Sequence, residues 1–125
     1  MSLAFGSELS PIDVPSTPQD DPRLTQWPNG QWAEFGYHSV ELLGDHQLFE
    51  GLGDAPVFYH AHGLHVPNPP EGFDVFARTA ITPVQIAIDD DRRMIGTQFH
   101  PEYWTNEHPL GEKLIANFMT WVGLI

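Results

Sequence analysis

Cysteine is absent from the 125 residues. That excludes a disulfide framework and a thiolate metal site, and it leaves the chain without a thiol nucleophile of its own. Basic residues are nearly as scarce, with five Lys and Arg against 17 Asp and Glu and a formal charge of −12. Such a surface repels phosphate backbones, so no nucleic-acid partner is expected, and the acidity reads as solubility. No run of residues is long and apolar enough to span a bilayer, and the N-terminus lacks the basic-then-apolar pattern of an export signal. A cytoplasmic place with no membrane partner is the resulting expectation.

What is present fits one domain. Apolar residues make up 41% of the chain, enough for a single modest core. Met1-Ser2-Leu3 reads as a cloning leader, and Ala4 to Leu9 as a helix end turning at Gly6 into a short strand. Residues 10–32 carry Pro11, Pro15, Pro18, Pro22 and Pro28 with a Pro-Asn-Gly turn, which predicts a long surface loop. Residues 34–125 form the ordered core. Alternation from Glu34 to Leu43 predicts a strand, and His46 to Leu52 a helical turn ending at Gly51 and Gly53. Val57 to Ala61, Phe73 to Ala77 and Pro83 to Ile88 read as further strands, and the charged turn Asp89 to Arg93 as a hairpin into Met94 to Phe99. A final helix is predicted from Pro109 to about Leu124, with Leu114, Ile115, Phe118, Met119 and Val122 as its core face. There is no internal repeat.

The chemistry concentrates in Gly96-Thr-Gln-Phe-His-Pro-Glu102. Residues two apart on an extended chain point the same way, so His100 and Glu102 can share a face, with Gln98 behind them. A carboxylate beside an imidazole fixes its tautomer and favours its protonated form, as a general acid–base requires. The pair is the rear half of a triad whose front member is a nucleophile. A strand-end salt bridge is the plainer interpretation of His-Pro-Glu taken alone.

Its company decides between them. Gly-Thr-Gln-Phe-His-Pro-Glu resembles the Gly-x-Gln-Phe-His-Pro-Glu signature of class I (triad-type) glutamine amidotransferases. Glu34-Phe-Gly-Tyr-His-Ser-Val-Glu-Leu42 is similar to that family's Glu-x-Gly-x-x-x-Val-x-Leu strand, and His46-Gln-Leu-Phe-Glu-Gly-Leu52 to its His-x-Leu-Phe-x-Gly-Leu turn. His60-Ala-His-Gly-Leu-His-Val66 with Pro70-Glu-Gly-Phe73, then Gly111 and Asn117-Phe118, match in order. The strings look closest to the GMP-synthase-like subtype. The resemblance implies an α/β fold, a flavodoxin-like three-layer sandwich, of which this chain is the β-rich C-terminal part with its closing helix. It further implies glutamine as substrate and no cofactor, with ammonia passed to a synthetase domain or subunit. His100 would be the general base and Glu102 its orienting partner, with His62, Gly63 and Gln98 as weaker candidates beside the glutamine pocket.

One element of the family pattern is missing. The nucleophile sits in a Gly-x-Cys-x-Gly turn that also supplies oxyanion-hole amides, and no such turn occurs here. Leu3 to Leu9 resembles the stretch just after it. The expectation is therefore a C-terminal fragment, inactive alone, whose first partner is the N-terminal half of the domain. Two other readings stand beside it. His60, His62 and His65 invite comparison with metal-binding, cupin-like β-domains. The carboxylate expected shortly after them is absent, however, and a buried or loop-anchoring role is favoured, most of all for His62. An interaction module, self-associating through exposed edges and Trp27, Trp32 and Trp104 in loop-like segments, is the third.

Overall fold

The computed structural model describes residues 9–124; the helix end expected at Ala4 lies outside them. Among the described residues nine strands precede one α-helix: β1 (Ser10–Pro11), β2 (Leu24–Gln26), β3 (Trp32–Ser39), β4 (Glu41–Leu42), β5 (Val57–His62), β6 (Leu64–His65), β7 (Asp74–Arg78), β8 (Ile86–Asp89), β9 (Met94–Thr97) and α1 (Leu110–Trp121). They form three antiparallel sheets, ordered β1-β6, β2-β3-β5 and β4-β7-β8-β9.

The central pairing is β3 with β5, in register from Glu34 opposite His62 to Ser39 opposite Val57. Alternation turns Phe58, His60 and His62 inward, while Phe35, Tyr37 and Tyr59 face outward. The main core gathers Val40, Leu48, Phe58, Ile86, Ile88, Phe99, Leu114 and Trp121. Phe58 and Phe99 stack with centroids 4.1 Å apart, joining β5 to the segment after β9. His46 starts the turn at Gln47–Phe49: its Nδ1 accepts from the Leu48 amide, so Nε2–H is free to donate to Asp90 at 2.7 Å. Asn117 holds that turn against α1 by donating to the Leu48 and Glu50 carbonyls.

Two expectations change. Residues 10–32 are not one loop: β1 pairs with β6, Pro18–Asp20 makes a 3-10 turn, and β2 is an edge strand on β3. Proline permits this because Pro11 lies in the short edge strand β1 and β2 contains none. Trp32 accordingly stands in β3 and packs on Ile12, Leu24 and Ile81. The helix also shows a different face. Leu110, Leu114, Phe118, Trp121 and Val122 meet the core, while Met119 is exposed. Pro109 sits at the cap position and α1 stops at Trp121, with Gly123 in the left-handed region just past its end.

Candidate active site

β9 ends at Thr97, and the chain continues as a loop tied at each residue. The Gln98 amide donates to the Gln85 carbonyl at 2.9 Å, the Phe99 ring enters the core, and the His100 amide donates to Tyr59 of β5 at 2.8 Å. The Tyr103 amide closes a turn onto the His100 carbonyl at 3.2 Å. This turn folds Glu102 back until its Oε2 lies 3.3 Å from His100 Nδ1. The two side chains meet as expected, although a turn brings them together and not strand alternation. They are 38% and 56% exposed, so the pair is open to solvent. With Nδ1 beside Glu102, Nε2 has no hydrogen-bond partner among the described residues.

An aromatic frame supports the turn. Tyr59 and Tyr103 each pack near the His100 ring, and Tyr37 donates its hydroxyl proton to the Tyr103 carbonyl at 3.0 Å. From below, Gly111 of α1 lies so close to Pro101 that a Cβ there would stand 2.0 Å from the Pro101 carbonyl oxygen. The helix start thus rests directly on the backbone between His100 and Glu102. A cleft of about 740 Å³ lined by Arg23, Glu41, Asp54 and Arg78 includes no residue of this turn.

A second cluster lies buried inside the β3–β5 pair. Glu34 is fully buried and its carboxylate accepts from His62 Nε2 (2.7 Å), Gln85 Nε2 (2.8 Å), Thr82 Oγ1 (3.0 Å) and Thr79 Oγ1 (2.6 Å). Burial alone would raise its pKa, yet the bonds from His62 and Thr79 and the fields of His60 and His62 outweigh it and hold the group at about 2. His60 is driven the other way, to about 4, by burial, against the pull of Glu34. Of the remaining candidates, Gly63 is buried with Gln31 against it, and Gln98 Nε2 donates to the Leu64 carbonyl (3.3 Å), which also receives His62 Nδ1–H (3.1 Å). His65 belongs to β6 opposite Ser10 and is not among the residues gathered with His60 and His62. Sequence reasoning passed over Thr79, Thr82 and Gln85, which carry no charge. It took Glu34 only as a motif letter, although its place opposite His62 was implicit in the pairing of two strands.

The cluster makes acid stability predictable. The unfolded His60 imidazole takes a proton near 6.5, the folded one only near 4. Between those values the unfolded chain binds more protons, so stability falls as pH drops from about 6.5 to 4, by about 3 kcal/mol. Below that, Glu34 adds a loss as pH falls from 4.5 towards 2. Urea midpoints measured across this range in chelator-treated buffer check it, and a flat profile down to pH 4 would refute the assignment.

A His-Pro-Glu turn at a sheet end, ahead of a closing helix, is the arrangement expected from the resemblance to class I glutamine amidotransferases. The chain belongs to that family: the model of glutamine amidotransferase class-I matches residues 1–121. Among curated relatives, the GMP synthase [glutamine-hydrolyzing] of Rhizobium johnstonii is 39% identical over 94 residues, covering 73% of this chain and 18% of the relative. That of Clostridium perfringens is 34% identical over 87 residues, covering 69% and 16%. The chain thus spans less than a fifth of the length of these relatives. In fold it matches the crystal structure of a GMP synthase subunit protein from Thermoplasma acidophilum, with TM-score 0.73 and 23% identity, over 98% of this chain and 51% of that one. The architecture is the β-rich, single-helix part of an α/β amidotransferase fold.

Proposed function

We propose that this chain supplies the base half of a glutamine-hydrolysing site, with His100 as general base and Glu102 as its orienting carboxylate. The observation that carries the reading is the 3.3 Å approach of Glu102 to His100 Nδ1, which leaves Nε2 for a reacting thiol. That thiol must come from a Cys-bearing segment, because this sequence contains none. With it in place, Nε2 takes the thiol proton as sulfur bonds to the glutamine amide carbon. The same nitrogen then returns the proton to the departing nitrogen as the C–N bond breaks and ammonia leaves. Water, activated by the same imidazole, hydrolyses the thioester to glutamate and frees the thiol. Ammonia would pass to a synthetase partner of the kind named in the relatives, and the setting would be cytoplasmic. His62, Gly63 and Gln98 would support the pocket wall from β5 and the loop ahead of His100.

The test is glutamate release. The chain alone is expected to release none. Joined to the Cys-bearing N-terminal half of a family domain, it is expected to gain activity that His100→Ala lowers about a thousandfold and Glu102→Ala less. Release by the chain alone, or full activity in the joined His100→Ala protein, would refute the assignment.

A further inference from the structure

We infer that Glu34, His60 and His62 form a buried binding site for one divalent transition-metal ion, of which zinc is the type. The three side chains present Oε1, Nδ1 and Nε2 from adjacent strands, all three within 4.8 Å of one another. None belongs to the His100 turn, although His62 is shared with the proposed pocket wall. The carboxylate sought a few residues after the histidines stands instead on the neighbouring strand, in register with His62.

Tautomers carry the argument. His60 Nε2 lies 3.2 Å from the His38 carbonyl, an acceptor only, so that nitrogen bears the proton and Nδ1 bears a lone pair. Nδ1 is fully buried, has no hydrogen-bond partner, and faces Glu34 Oε1 across 3.8 Å. His62 repeats the pattern: Nδ1 faces the Leu64 carbonyl, another acceptor, and Nε2 faces Glu34 Oε1 at 2.7 Å. Two imidazole nitrogens are thus turned on one buried carboxylate, each by a backbone carbonyl at its far side. A metal-bound histidine uses the same support to fix its ring. Electron pairs facing one another require a cation between them. A proton on His62 Nε2 satisfies one contact but leaves His60 Nδ1 without a partner; a metal ion satisfies both.

Distances and donors agree. Two ligand atoms each about 2.1 Å from a tetrahedral ion are about 3.4 Å apart, between the 2.7 and 3.8 Å found here. The Glu34–His62 pair would open by about 0.7 Å and the Glu34–His60 pair close by about 0.4 Å. Gln85 stands beside them: its Nε2 donates to Glu34 and Thr79, and its Oε1 is buried without a partner. Thr79 and Thr82 continue to hold the carboxylate. Two imidazoles and one carboxylate in a closed interior suit a zinc-type ion.

The experiment strips the purified chain with a chelator, adds zinc and desalts, then counts metal by elemental mass spectrometry. One zinc ion per chain should be retained, and at zinc a hundredfold above its dissociation constant the thermal midpoint should rise by about 10 °C. His60→Gln should lose the ion, while His100→Ala, which removes the exposed imidazole, should keep it. Retention in His60→Gln, loss in His100→Ala, or no bound zinc in the native chain would overturn the site. If His60→Gln does not fold, cobalt(II) decides in the native chain. A tetrahedral imidazole-type visible spectrum supports the site, and an octahedral, weakly absorbing one rejects it.

Discussion

Gly111→Ala should destabilise the chain by about 3 kcal/mol, the reverse of what this exchange does in an ordinary helix, where alanine gains nearly 1. The sign changes because of Pro101. A methyl group at position 111 would stand 2.0 Å from the Pro101 carbonyl oxygen, and the obstacle is backbone, not the tip of a flexible side chain. Either the start of α1 or the His100–Glu102 turn must move. Moving the helix disturbs Leu114 and Trp121 in the core; moving the turn displaces the imidazole. The urea midpoint decides the first, and glutaminase turnover of the chain joined to a Cys-bearing half decides the second, with about a hundredfold loss expected from a displacement near 1 Å. A variant as stable and as active as the parent would show that the approach is not a real constraint.

Glu34→Leu should be the most damaging single change, lowering stability by about 3–5 kcal/mol. The carboxylate answers four donors at once, from His62, Thr79, Thr82 and Gln85, and none has water to turn to. Leucine fills the volume but leaves the imidazole, both hydroxyls and the amide without their acceptor. With a total stability of about 5–15 kcal/mol in a domain of this size, much of the folded population would be lost at elevated temperature. Thr82→Val removes a single donor and should cost about 1 kcal/mol, so the two variants together separate the carboxylate from its neighbours. Denaturant unfolding of the metal-stripped protein measures both. A Glu34→Leu loss no larger than that of Thr82→Val would mean that the cluster is not organised around the carboxylate.

The strands from Glu34 onward and the final helix were legible in the sequence because period-two and helical patterns report burial directly. The prolines of residues 10–32 hid β1 and β2, since proline signals a turn before it signals an edge, and only the partner strand shows which it is. Trp121 was missed on the core face of α1 because the apolar residues of that helix run wider than one stripe, and the packing of Phe99 and Leu48 selects among them. His100 and Glu102 were legible through their motif, yet the reasoning about geometry relied on a strand that stops at Thr97. The Glu34 cluster was the least accessible part. Its members lie up to 51 residues apart and meet only after β3, β5 and the segment before β8 have been brought together.

His100 is held to β5 by its own amide bonded to the Tyr59 carbonyl, and both atoms are main-chain. Every amino acid offers that carbonyl, so position 59 can vary in side chain without releasing the imidazole. The surface around the base can therefore diversify under selection while the base stays anchored: drift in the residues that greet a substrate or partner is uncoupled from retention of the group that moves the proton.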